Sequence, residues 1–129
     1  MYISYIKDEI GRSVRGLFVE AQNFFERVQL ENHTLVLSDL FFYEVEKVIF
    51  ESCETVLQNF KIHKISVERV YVTLEAFKRA QRFAQKYTHL LDAQHAALAI
   101  QSKCDALVTF NAKDFENIKQ IWICPPNEF

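Results

Sequence analysis

Leu90 to Phe115, LLDAQHAALAIQSKCDALVTFNAKDF, decides the fold: it runs from an acid at a helix start, through a small-residue helix, into a buried strand and out to a second acid. Ala93, Ala96, Ala97 and Ile100 recur at i, i+3, i+4 and i+7, which predicts a helix from Asp92 to Lys103 whose alanine face presses closely on a sheet. Asp105 to Phe110, DALVTF, predicts a short strand buried on both faces. Open α/β sheets bind ligands beyond the carboxyl ends of their strands, where Thr109, Asn111 and Asp114 emerge. With Asp92 at the neighbouring helix N-terminus, that end of the sheet becomes an anionic pocket.

The same alternation extends toward both ends. Leu17, Ala21, Phe24, Phe25 and Val28 predict an amphipathic helix from Arg15 to Gln29 after a Gly11 to Gly16 turn region. Thr34 to Leu37 predicts a strand, and Ser38 as N-cap with Asp39 in the first turn opens a long helix to about Phe60, with Phe41, Val45, Val48 and Ile49 inward. Lys61 to Ile65 predicts another short strand. Ser66 is then a second N-cap, opening a helix marked by Val67, Val70, Tyr71, Leu74, Phe77 and Ala84 that runs to about Tyr87. Ile121 to Cys124 predicts a last strand, stopped by Pro125 and Pro126. Strands alternating with helices imply a mostly parallel sheet covered on both faces.

Composition excludes several functions. With 129 residues, half of them hydrophobic, the chain is expected to form one domain, 1–129, with a sizeable core. Its only glycines are Gly11 and Gly16, so no glycine-rich phosphate cradle can be built. A net charge of -2 gives no global attraction to nucleic acid, so such contacts must come from a local basic stripe. Cys53, Cys104 and Cys124 are odd in number and lack C-x-x-C spacing, which predicts reduced core thiols. No apolar run approaches the roughly 18 residues that span a bilayer, and a cytoplasmic protein is expected.

Asp92, Ala93, His95, Ala97, Ala99, then Asp105 to Thr109, Asn111, Asp114 and Phe115 together resemble the closing half of a PIN domain, the fold of the VapC-type toxin ribonucleases. The resemblance extends through LVLSDLFFYEVEKV, Leu35 to Val48, to the terminal IWICPPNEF. It implies a PIN-like three-layer α/β/α fold with a mostly parallel central sheet. It also implies metal-dependent hydrolysis of RNA with Mg²⁺ or Mn²⁺, an antitoxin partner and a homodimer. Glu44, Asp92 and Asp114 would be the metal acids, Asn111 would stand where many relatives have an aspartate, and Thr109 would position water or a phosphate oxygen. PIN domains usually begin with a central strand ending in an Asp-Thr-Asn-like sequence. Met1 falls about where that sequence should finish, so the chain is expected to be truncated at that strand and its aspartate. The other reading takes Tyr2 to Ile6 as the first strand, with Asp8 or Glu9 beyond it.

Plainer assignments stand beside these. Asp92 at a helix start is by default an N-cap, Glu44 one acid on a solvated face with Glu46, Lys47 and Glu51, and Asp114 a turn cap. His95 shares a helix face with Asp92, yet hard-cation sites seldom use imidazole, and a structural histidine is the default. His33, His63 and His89 lack zinc spacing. Lys78, Arg79, Arg82 and Lys86 fall along one helix side, with Lys61 and Lys64 before them, and could grip a phosphate backbone or simply be solvated. Tyr71 and Phe83 are assigned to packing rather than base stacking. The rival functions are a non-catalytic PIN-like RNA-binding or protein-interaction domain and, more distantly, a phosphoacceptor domain. The latter needs paired acids near the start and a lysine after a late strand, and the chain lacks that arrangement.

Overall fold

The computed structural model describes the backbone at residues 15–49, 52–86 and 89–129, and side chains at 22–47, 52–85 and 89–129. The expectations for Tyr2 to Ile6, Asp8, Glu9, Gly11 and Glu51 lie outside these residues, as do those for the side chains of Leu17, Ala21, Val48, Ile49 and Lys86. In chain order the elements are α1 (Arg15–Leu30), β1 (Thr34–Ser38), α2 (Asp39–Ile49), α3 (Cys53–Ile62), β2 (Ser66–Val70), α4 (Leu74–Lys86), α5 (Leu90–Gln101), β3 (Ala106–Val108) and β4 (Trp122–Cys124).

The strands form two parallel ladders, β1 with β2 and β3 with β4. Their alternating side chains sort into the same two cores. Leu35, Leu37, Ala106, Val108 and Cys124 pack with Phe24 and Val28 of α1 and with Phe41, Phe42 and Val45 of α2. Val36 and Leu107, pointing the other way, pack with Ala76, Ala80 and Phe83 of α4 and the alanines of α5. Because successive strand residues face opposite sides, both ladders lie in one middle layer between α1, α2 and α3 on one side and α4 and α5 on the other. This is the expected α/β/α architecture.

Several boundaries differ from the sequence expectation. The single helix from Asp39 to about Phe60 is two helices. Ser52, at φ -73° and ψ 156°, starts α3 afresh by accepting a hydrogen bond from the Thr55 N–H. Lys61 and Ile62 end α3 rather than forming a strand, and Ser66–Val70 is strand β2 rather than the start of a helix. The β-branched Val67 and Val70 serve both cores there, and parallel pairing with β1 outweighs the weak helical spacing. The cap of α4 is Thr73, whose Oγ1 accepts from the Ala76 N–H and donates to Gln101 of α5. Gly16 lies inside α1 rather than in a turn, and α5 begins two residues early, at Leu90.

α1, α3 and α5 end alike. Asn32, Lys64 and Lys103 each adopt φ 56°. The next residue's N–H reaches back five positions, His33 to Val28, Ile65 to Phe60 and Cys104 to Ala99. This is the Schellman closure, built without glycine.

Candidate active site

The residues expected to form the site lie in α2, in the first turn of α5 and in the segment that leaves β3. Ser38, sealed at the end of β1, accepts from the Phe41 N–H and starts α2 as expected. Asp39 Oδ1 accepts from the N–H groups of Leu40 and Val72, tying the start of α2 to the segment leaving β2. Two turns of α2 then bring Glu44 inward. It is 8% exposed, whereas Glu46 and Lys47 are exposed, so it is not part of a solvated acidic face.

Asp92 sits in the first turn of α5, and the N-cap position belongs to His89, which makes no side-chain cap bond. Asp92 is therefore free of the capping role that residue type alone would assign it. Its carboxyl is held above the ordinary carboxylate value of 3.8, chiefly by burial. His95 and His89 pull it down, while Asp114 and Glu44 push it up. Asp92 thus feels both of the other expected acids across one end of the sheet. Asp114 is exposed, inside the 3-10 turn Ala112–Phe115, where Asn111 holds the N-cap position without a side-chain cap bond. Thr109 is buried, and its Oγ1 accepts from the Asn111 N–H, so the hydroxyl shapes the turn that leaves β3.

The chemistry of this donor set, oxygen ligands of like charge, suits a hard divalent cation. The arrangement is not a closed cage: among the described residues no three His, Cys, Asp or Glu side chains stand close enough together to hold one metal ion. A cavity of about 350 Å³ lies between α4 and α5, lined by Glu75, Arg79, Gln101 and Lys103 among others, and none of the three acids borders it.

His95 is completely buried, and its Nε2 stands 3.3 Å from Glu44 Oε2. The contact is short but not aligned as a hydrogen bond, and Nδ1, Nε2 and Oε2 have no other partner. The sequence signal was present, a histidine embedded in an alanine face three residues after Asp92. Only the fold reveals Glu44 opposite it.

Beyond the acids, Lys78 and Arg82 are exposed on α4, while Arg79 is half-buried and lines the cavity against α5. Phe83 is buried as expected, but Tyr71 is 59% exposed. Its ring lies 5.5 Å from the Arg69 guanidinium, which also covers Phe42 at 4.8 Å. The packing assignment for Tyr71 is thus overturned, because it follows β2 in an extended segment instead of lying on the inward side of a helix. Cys104 and Cys124 are free, their thiols pushed up by burial to about 12 and about 11, as inert core thiols should be.

Among the described residues no helix is long and apolar enough to cross a membrane. The profile of the PIN domain family matches residues 14–121. No curated protein matches the chain.

Proposed function

The chain belongs to the PIN domain family, whose members carry a nuclease-type fold, generally depend on divalent metal and commonly bind RNA; from that premise we propose that it is a metal-dependent ribonuclease of the VapC-like toxin–antitoxin type. One observation carries the reading. Asp92 does not hold the N-cap position, is half-buried, and has its carboxyl raised chiefly by that burial, with Asp114 and Glu44 adding to the rise. Carboxylates gathered at cost to one another are typical of a site that is completed by a cation.

In this reading Glu44, Asp92 and Asp114 hold Mg²⁺ or Mn²⁺, which when bound activates a water and offsets charge on the phosphate. Asn111 offers a carbonyl oxygen without charge, and Thr109 fixes the turn on which Asn111 and Asp114 ride. Lys78, Arg79, Arg82 and Lys86 contact the RNA backbone, and the exposed Tyr71, backed by Arg69, offers a face for a base. The chain works as a homodimer held in check by an antitoxin protein, a pairing consistent with exposed Ile62, Leu90 and Leu91.

The open spacing of the acids and the neutral Asn111 favour weak metal binding and slow cleavage, and they support the rival reading of a non-catalytic RNA-binding or interaction domain. Calorimetry with Mn²⁺ and a cleavage assay on structured RNA decide between them. EDTA-sensitive cleavage that Asp92→Asn reduces at least 100-fold is expected from the nuclease. RNA binding without any metal-dependent cleavage establishes the rival.

A further inference from the structure

Burying a histidine completely removes both ring nitrogens from water, and each one left unpaired costs the fold free energy. In His95 both nitrogens are sealed, and the same is true of Glu44 Oε2. The complementary group facing each is the other, 3.3 Å away. A small tilt of the imidazole turns this contact into an Nε2–H···Oε2 hydrogen bond, and bonds around reaction centres are commonly loose until a ligand is bound. In that tautomer Nδ1 carries a lone pair and no proton, so what remains unmatched is an acceptor, which interiors tolerate better than an orphaned donor.

The ring has little room to move: His95 is fully buried, as are Ala93, Ala96, Ala97 and Ala99 of the same helix, and α5 sits against the sheet and α4. The position of Nε2 is thereby set by the backbone of α5, the same turn that sets Asp92. Glu44 comes from α2, in the opposite helix layer, on a side chain with three rotatable bonds. A flexible carboxylate from one layer is thus met by a rigid donor from the other. Oε2 is the oxygen of Glu44 that is sealed without a hydrogen-bond partner, on a side chain that is 10% exposed.

We propose that His95 is a positioning residue: its Nε2–H anchors Glu44 through Oε2 and presents Oε1 to the end of the sheet where Asp92 and Asp114 stand. This rests on the metal-dependent reading above and adds to it a residue that touches neither metal nor RNA. The anchor fixes which oxygen of Glu44 is offered and in what direction, so a ligand arriving there need not spend binding energy ordering that side chain.

Two measurements on the full chain test it. Long-range proton–nitrogen NMR at neutral pH should find His95 protonated on Nε2, with that proton protected from exchange and shifted in Glu44→Gln. A proton on Nδ1, or an Nε2 proton indifferent to Glu44→Gln, overturns the proposal. Mn²⁺ calorimetry should find His95→Leu weakened about 10–100-fold. His95→Gln, whose amide nitrogen takes the place of Nε2, should stay near the unsubstituted chain, while His95→Asn, whose amide falls short, should behave as Leu. Equal Mn²⁺ affinity in folded His95→Leu, or equal loss in Gln and Asn, also overturns it, since a purely structural histidine would not separate those two. If the unsubstituted chain binds no Mn²⁺, the nuclease reading fails, and the NMR arm alone decides the anchor.

Discussion

Asp92 shows how a residue records two opposed demands. Raising a carboxyl above its ordinary value means that the folded state holds the proton more tightly than the unfolded chain, so Asp92 favours folding below pH 3.8 and that contribution is lost as pH rises through its folded value. Asp92→Asn should therefore melt a few degrees higher than the unsubstituted chain at pH 7, on the order of 2–4 °C. The gain should vanish below pH 3.8. Calorimetric melts across that range check it, and a lower melting temperature at pH 7 would mean that the half-buried carboxylate is structurally favourable after all. The same residue illustrates what sequence could convey. The acid, its helix, the alanine face and His95 on that helix are legible because periodicity reports them directly, whereas Glu44 comes from the opposite layer, and no local pattern encodes a contact across a sheet. Cys104 and Cys124, pushed up by burial to about 12 and about 11, should resist iodoacetamide at pH 8 until the chain is unfolded in urea.

At the level of elements, the errors trace to how this chain ends its helices. Glycine is the usual signal for a helix stop, and here Asn32, Lys64 and Lys103 occupy the left-handed position instead. Without that signal, the sequence does not mark the end of α3 or the start of β2, and Ser66 resembles a cap because apolar residues at helical spacing follow it. Ser38 is legible as a cap, since it has both a cap side chain and a strand before it. The left-handed conformation costs a non-glycine residue about 1–2 kcal/mol, partly offset by the greater freedom glycine loses on folding. Lys64→Gly and Lys103→Gly, both at exposed positions, should each stabilise the chain by about 0.5–1 kcal/mol in urea titrations, with Asn32→Gly giving less because asparagine tolerates this region. A loss of stability in either lysine variant would show that its stem contributes packing.

For the whole molecule, two ladders sharing two cores make a scaffold whose layers are pinned by different chemistry. Large rings fill the side of α1 and α2, while alanines fill the side of α5. Charge is spread rather than pooled, so RNA affinity should hinge on the outer side of α4. Lys78→Glu combined with Arg82→Glu should weaken RNA binding about tenfold or more at low salt and flatten its salt dependence by roughly 1.4 in logarithmic slope. Unchanged titrations would place the RNA elsewhere. The fully buried alanines of α5 carry a further implication, for genetics. Enlarging any of them overpacks the interior by about 1–3 kcal/mol, so a survey of random substitutions scored by survival would return Ala93 and the run from His95 to Ala99 as intolerant. His95 lies inside that run and Asp92 at its edge, and their intolerance would be indistinguishable from that of the alanines beside them. Only abundance, scored separately from phenotype, can part the residues that keep this helix in place from those it exists to carry.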